Sequence, residues 1–341
     1  MIGRRNFLKT GALSGIGLIA VPYLVKGSAV AEGRRIGMIG LDTSHCIAFT
    51  KALNADDAGD SFNGYKVVAA YPRGSFDIKS SYERIEGYTK QVKEMGVEIV
   101  DSIEELLERV DVVLLETNDG KRHYEQAIPV IRAGKRMFID KPMTASLSDA
   151  IAIFNAAGEY GVPVFSSSSL RYIGGIDEVK NGESGKITGA ETFSPATIEE
   201  THPDLFWYGI HGIEILFTVM GTGCKKVSRA YTPGTDVVVG IWDDGRIGTF
   251  RGMREGKRGY GGRVYTEKEI RELGPYKGYN PLLSEIIKFF DTGQVPVKPD
   301  ETLEILAFME AADISKKKGG IPVSVEKVMD MAKKESRKKI Y

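Results

Sequence analysis

The segment that most constrains the fold is Arg35 to His45, RIGMIGLDTSH, a short apolar strand that runs into a glycine turn and a helix start. In a G-x-G-x-x-G turn the first glycine makes the tight bend, the second lets the backbone approach a pyrophosphate, and the third allows close helix packing. Here those places fall on Gly40, Asp42 and His45. A carboxylate at the second place adds repulsion where a helix N-terminus otherwise favours an anion. The turn announces a nucleotide-binding fold and puts its usual ligand in question.

From Arg35 to about Phe165, short apolar runs alternate with amphipathic stretches, as parallel strands joined by crossover helices require. The expected strands are Ile36 to Ile39, Lys66 to Ala70, Glu98 to Val100, Asp111 to Glu116, Arg136 to Ile139 and Val162 to Phe165. Ser102 and Glu105 make a capping-box pair, and Gly134 closes the next helix. Sheets of this kind bind ligands beyond the carboxyl ends of their strands. That places Asp42 to His45, Tyr71 to Ser75, Thr117 to His123 and Asp140 to Pro142 around one crevice.

After about Ser166 the strands lengthen and alternate, as in Ile187 to Phe193, Lys226 to Thr232, Val237 to Trp242 and Arg246 to Arg251. Asp243-Asp244-Gly245 is a hairpin signal between the last two, and helices are expected at Pro281 to Asp291 and Glu301 to Lys317. The fold class is therefore α/β: an N-terminal doubly wound parallel sheet over residues 32–165, then an α+β domain with a large, mostly antiparallel sheet over 166–341.

Lys+Arg and Asp+Glu both total 46, which excludes the strongly basic surface of a nucleic-acid binder. The short basic tail Lys333 to Lys339 reads as a solvated last helix. Cys46 and Cys224 sit in different domains, so two small buried thiols are expected rather than a disulfide.

Residues 1–31 read as an address. Arg4-Arg5-Asn6-Phe7-Leu8-Lys9 is similar to the twin-arginine export motif, an apolar run follows from Gly11 to Val25, and Ala29-Val30-Ala31 offers a cleavage site. The run is shorter than the roughly 20 apolar residues of a spanning helix, so no stable membrane anchor is expected. The mature chain would be periplasmic or secreted, and mildly acidic, because the leader removes Arg4, Arg5, Lys9 and Lys26 and no acidic residue.

GMIGLDTSH, ETNDGKRH, AGKRMFIDKP, FWYGIHGIE, YNPLLSEIIKFF and AADISKKKGGIPVSV occur in an order and spacing that resemble the glucose-fructose oxidoreductase and inositol dehydrogenase family, Gfo/Idh/MocA, over nearly all of the mature chain. The resemblance implies a Rossmann domain that holds NAD or NADP, a C-terminal sheet that carries a small carbohydrate substrate, and a homo-oligomer, dimer or tetramer, formed through that sheet. It implies catalytic roles for Lys141, in Asp140-Lys141-Pro142 where the family has E-K-P, and for His211, in a segment similar to D-x-G-x-H-x-x-D. The family's first aspartate falls on Trp207 and its last on Glu214. His123 matches a family position, structural or beside the cofactor.

The cofactor set expected from the turn and crevice is Gly40, Asp42, Thr43, Ser44, His45, Arg73, Ser75, Thr117, Asn118, His123 and Lys141. Arg73 and Ser75 stand where an NAD enzyme carries an acidic residue and could receive a 2′-phosphate; equally, Arg73 reads as a solvated turn residue. The substrate side is assigned Arg171, His202, Trp207, Tyr208 and Glu214. Trp207 reads equally as a sugar-stacking ring or as core. Imidazole and carboxylate from His45, His202, Asp42, Asp204 and Glu214 would suit a divalent metal, but they lack compact ligand spacing, so no metal ligand is assigned.

Three functions follow from these readings. The first is an exported oxidoreductase acting on a sugar, glycoside or polyol CH–OH group with tightly bound NAD(P). The others are a non-redox carbohydrate lyase or hydrolase on a scaffold with a degenerate fingerprint, and a noncatalytic sugar-binding protein.

Overall fold

The computed structural model describes residue 30 and residues 32–58, 61–182 and 184–340. The expected leader and its cleavage site lie outside the described residues, Val30 excepted. Among the described residues, no helix is long and apolar enough to cross a membrane.

The first half of the chain forms a six-stranded sheet in the order β3-β2-β1-β4-β5-β6. Its strands are β1 (Arg35–Ile39), β2 (Lys66–Tyr71), β3 (Glu98–Ile99), β4 (Val112–Leu115), β5 (Met137–Ile139) and β6 (Val164–Ser166). All neighbours pair in parallel. This order places a topological switch between β1 and β4, where ligands of open α/β sheets bind. The crossover helices are α1 (Ser44–Asn54), α2 (Lys79–Tyr82), α3 (Ile85–Glu94), α4 (Ile103–Arg109), α5 (His123–Arg132) and α6 (Leu147–Tyr160). Ser102 caps α4 by accepting from the Glu105 backbone N–H at 3.0 Å, as the capping-box pair predicts.

Apolar side chains are buried on both faces of this sheet because β4 and β5 carry apolar residues throughout. One face packs on α1, where Phe49, Phe138 and Phe165 cluster with Ile36 and Met38. A helix from far along the chain completes that face. α10 (Asn280–Thr292) inserts Leu282, Leu283, Ile286, Phe289 and Phe290 into the same cluster. Helical periodicity shows that α10 has an apolar stripe, but not which sheet it covers.

Between β6 and α10 lie α7 (Ile176–Lys180), α8 (Asp204–Trp207), α9 (Ile210–Met220) and most of a second sheet. That sheet has the order β12-β11-β7-β10-β9-β8-β13. It comprises β7 (Ile187–Pro195), β8 (Cys224–Thr232), β9 (Thr235–Trp242), β10 (Ile247–Met253), β11 (Gly261–Thr266), β12 (Ile270–Leu273) and β13 (Val323–Ser324). It is antiparallel except where β10 runs parallel to β7. The Asp243–Gly245 corner joins β9 to β10, with Gly245 at φ +86° and its N–H bonded to the Trp242 carbonyl at 3.1 Å. α11 (Pro299–Lys317) and α12 (Val325–Ser336) close the fold. Both cysteines are free and buried.

Arg229, 1% exposed, is the ionic anchor of this second sheet. Its guanidinium bonds Asp236, Asp313 and Asp204, and Asp204 is also held by Lys316. Asp204 therefore belongs to this network and not to a metal-ligand group with His45, His202, Asp42 and Glu214.

Candidate active site

The strand register builds the floor of the crevice. Ile39 stands opposite Leu115, and Leu115 opposite Ile139, so the next residues, Gly40, Glu116 and Asp140, leave the sheet side by side. The Glu116 N–H donates to the Ile39 carbonyl at 2.7 Å and the Asp140 N–H to the Leu115 carbonyl at 2.9 Å. Gly40 has φ +85°, and a Cβ there would lie 2.3 Å from Thr117 Oγ1 and 2.5 Å from the Thr117 nitrogen. Only glycine fits this crossing of β1 over β4.

Asp42 is fully buried. Its Oδ2 accepts from the Ser75 N–H at 2.7 Å and its Oδ1 from the Asn118 N–H at 2.9 Å. The carboxylate thus joins the loops after β1, β2 and β4. Burial pushes its pKa up to about 6, against the opposing pull of those two backbone bonds. Its partner loop is shaped to receive it, since a Cβ on Gly74 would lie 2.3 Å from Asp42 Oδ2. The carboxylate carried by the fingerprint turn is thus met by two backbone N–H groups of the neighbouring loops.

A cavity of about 210 Å³ opens above this floor, between the two sheets. Thr43, Ser44, His45 and Asn118 line one side, and Lys141 and His211 line it with Trp207 and Tyr208 on the other. Tyr260, Tyr276 and Tyr279 complete an aromatic wall, and Arg84 reaches the rim. Burial pushes Tyr260 and Tyr276 up to about 12, so both phenols are donors at neutral pH.

Lys141 is 7% exposed at the end of β5, with Nζ 3.8 Å from Asp140 Oδ2. His211 is buried and bonds Ser168 Oγ through Nδ1 at 2.7 Å, leaving Nε2 for a ligand. Burial holds the His211 pKa well below the ordinary histidine value, and Lys141 and His45 add to the effect. The ring is neutral near pH 7 and able to take a proton.

Several residues assigned to the site from sequence stand elsewhere. Arg171 is buried behind the wall, bonding Glu214 at 3.1 Å and Glu301 at 2.6 Å. Glu214 also accepts from the Ser168 N–H at 3.0 Å. This pair supports Ser168, and through it His211, instead of meeting a ligand. His202 pairs with Asp119 at 3.1 Å and packs against Trp207, 5.1 Å between ring centroids. His123 bridges the Thr117 and Met143 carbonyls at 2.6 and 2.9 Å and locks the loop after β4. Arg73 is exposed and does not line the cavity. The Ser75 hydroxyl is buried 3.4 Å from Asp77 and 3.5 Å from Asp119, an acidic setting that disfavours a 2′-phosphate. Thr117 is buried at the crossing with Gly40.

Sequence reasoning missed Glu116, Arg84 and the three tyrosines. Glu116 carries a readable signal, an acidic residue directly after the apolar run VVLL of a buried strand. Tyr260 and Tyr276 lie in segments with no strong periodicity, and Tyr279 stands just before α10, where the helix pattern does not say what the preceding residue faces.

The dinucleotide implied by this fold fits the residues present. Thr43 caps α1 by accepting from the His45 N–H at 2.9 Å, and it lines the cavity with Ser44 at a helix end that favours phosphate. Asn118 faces them, and Lys141 stands at the reacting end.

Fold and site together define a Rossmann-domain protein of the nicotinamide-dependent kind. Over residues 34–168 the chain matches the family model GFO_IDH_MocA, described as an oxidoreductase family with an NAD-binding Rossmann fold. A 1,5-anhydro-D-fructose reductase from Ensifer adhaerens is 34% identical over 100 residues, 28% of this chain and 30% of that protein. A scyllo-inositol 2-dehydrogenase (NADP(+)) from Bacillus subtilis is 30% identical over 141 residues, 41% of this chain and 34% of that protein. These alignments thus span about a third of each curated relative.

Among solved structures, a scyllo-inositol dehydrogenase from Lactobacillus casei with bound NAD(H) and scyllo-inositol superposes with TM-score 0.68 at 16% identity, over 86% of this chain and 99% of that one. GenD2 from gentamicin A biosynthesis, in complex with NAD, gives TM-score 0.69 at 16% identity, over 88% of this chain and 98% of that one. These likenesses establish the two-domain fold.

Proposed function

We propose that the protein is an exported NAD(P)-dependent oxidoreductase acting on a CH–OH group of a sugar, glycoside or polyol. The observation that carries this reading is the placement of Lys141 and a neutral His211 on one cavity walled by tyrosines. The bound nicotinamide supplies the hydride acceptor or donor. Lys141 holds the reacting oxygen as a hydrogen-bond donor, and His211 takes its proton at Nε2, with Ser168 fixing the ring. Tyr260, Tyr276 and Tyr208 offer donors and ring faces to a hydroxyl-rich substrate.

The leader supports export by the twin-arginine route, and outside the cytoplasm the cofactor would have to be retained and recycled. Ile241 and Ile247, opposite each other in register on β9 and β10, are exposed on the second sheet. They support self-association through that face.

Two measurements test the reading. Denaturing the purified full-length protein and analysing the supernatant by mass spectrometry is expected to release NAD or NADP. Nicotinamide fluorescence is expected to change when a panel of inositols and anhydro sugars is added, and not to change in Lys141→Met. Absence of nucleotide together with absence of turnover overturns the proposal, and sugar binding that survives in Lys141→Met without turnover in the parent would mark a binding protein instead.

A further inference from the structure

We infer that His45, Glu116 and Asp140 form a binding site for one divalent transition-metal cation, Mn²⁺ or Zn²⁺, at the floor of the cavity. Among the described residues this is the one place where three potential metal-ligand side chains bring donor atoms within 4.8 Å of one another, and all three are buried. His45 Nδ1 lies 3.0 Å from Asp140 Oδ2 and 3.8 Å from Glu116 Oε2. With metal–ligand bonds of about 2.1 Å, neighbouring donor atoms stand about 3 to 3.4 Å apart. The observed separations lie close to that spacing before any ion draws them in.

The second observation is an absence of partners. Both oxygens of Glu116 are without a hydrogen-bond partner, while Asp140 has the His45 ring 3.0 Å away and the Lys141 backbone N–H beside it. Glu116 and Asp140 are fully buried. Buried carboxyl groups ordinarily gather backbone or side-chain donors, as Asp42 does one loop away. Here the nearest side-chain nitrogens are those of His45 and Lys141, the latter 3.8 Å from Asp140. Both are aimed at Asp140, and Glu116 has only His45 at 3.8 Å.

The strand register explains why these carboxyls converge. Glu116 and Asp140 are the first residues past two hydrogen-bonded parallel strands, so their separation is set by the sheet. His45, on the first turn of α1, is held over them by Tyr279, with 4.7 Å between ring centroids, and by Phe49 at 5.7 Å. Preorganised donors of this kind are what a small cation needs. One imidazole and two carboxylates suit Mn²⁺ or Zn²⁺ better than Ca²⁺, which takes oxygen ligands, or Cu⁺, which takes thiolates. His45 and Lys141 line the cavity above, so the ion would be reached from that side. The competing arrangement is metal-free, with the His45 ring bonded to Asp140 and burial favouring the protonated form of Glu116.

The test reads metal without turnover and so stands apart from the oxidoreductase reading. Full-length protein stripped with EDTA is dialysed against 10 µM MnCl₂ or ZnCl₂ in separate arms, each excess is removed, and metal content is measured by plasma mass spectrometry alongside the melting temperature. The wild type is expected to retain about one Mn²⁺ or Zn²⁺ per chain and to melt at a higher temperature with it. Glu116→Gln, which keeps the shape and removes the charge, is expected to lose at least tenfold in retained metal and to lose the thermal shift. His202→Gln, which alters a buried histidine outside the trio, is expected to retain metal like the wild type. Retention below 0.1 equivalent by the wild type in both arms overturns the inference, and so does retention in Glu116→Gln equal to the wild type.

Discussion

The Asp42 tie should make the stability of this protein depend on pH in a way that one substitution removes. Burial pushes the Asp42 carboxyl up to about 6, against 3.8 for an unburied aspartate. A shift of about 2 pKa units is worth about 3 kcal/mol at 1.36 kcal/mol per unit. The folded pKa is the higher one, so the folded state holds the proton more tightly. The contribution is fully present below about pH 3.8 and is lost as pH rises through about 6. Between pH 7.5 and pH 4.5 it should grow by about 2 kcal/mol. Asp42→Asn retains one acceptor for Ser75 or Asn118 and cannot titrate. Urea unfolding of both proteins at half-unit steps from pH 4.5 to 7.5 gives the difference in unfolding free energy, from which the other titrating groups cancel. The wild type should gain about 2 kcal/mol on the variant as the pH falls. A difference that stays flat within about 0.5 kcal/mol, or that falls with acidification, refutes the raised pKa and the burial argument behind it.

Gly40→Ala forces a Cβ to 2.3 Å from Thr117 Oγ1 at a positive φ, and should cost more than about 3 kcal/mol in chemical unfolding. For any polyol that is turned over, the acid limb of kcat/KM should lie below pH 6.5, because burial depresses His211. His211→Asn should lower kcat by about 10² to 10⁴ with the limb abolished. Arg229→Met strands Asp313 and leaves Asp204 and Asp236 to Lys316 and Arg254 alone, and should lower stability by about 3 to 5 kcal/mol, read as a fall in the urea midpoint.

The parallel sheet was legible because its central strands are apolar runs flanked by helix signals, and runs such as VVLL and MFI have few alternatives. β11 and β12 were not, since Gly261-Gly262 and the charged Ile270–Leu273 segment present neither an apolar run nor clean alternation. At the site, Lys141 and His211 meet on one cavity because each follows a well-defined strand end or helix start. Arg171, Glu214 and His202 were misplaced for a physical reason. Their neighbourhood in sequence is correct, but whether a long or charged side chain points into a crevice or behind its wall depends on partners such as Glu301 and Asp119 that no local pattern reveals. Glu116 shows the reverse: register alone puts it beside Asp140, once the strands are paired.

The return of α10 to the first sheet has a consequence during synthesis. β6 ends at Ser166 and α10 begins at Asn280, so more than a hundred residues leave the ribosome between the sheet and the helix that covers its aromatic face. At 5 to 20 residues per second that interval lasts roughly 6 to 20 seconds. Throughout it, a surface built around Phe138 and Phe165 is exposed on the nascent chain. A truncation ending after β12, before α10, would carry that uncovered face permanently. The first domain, although encoded first, matures only when nearly the whole chain has been made.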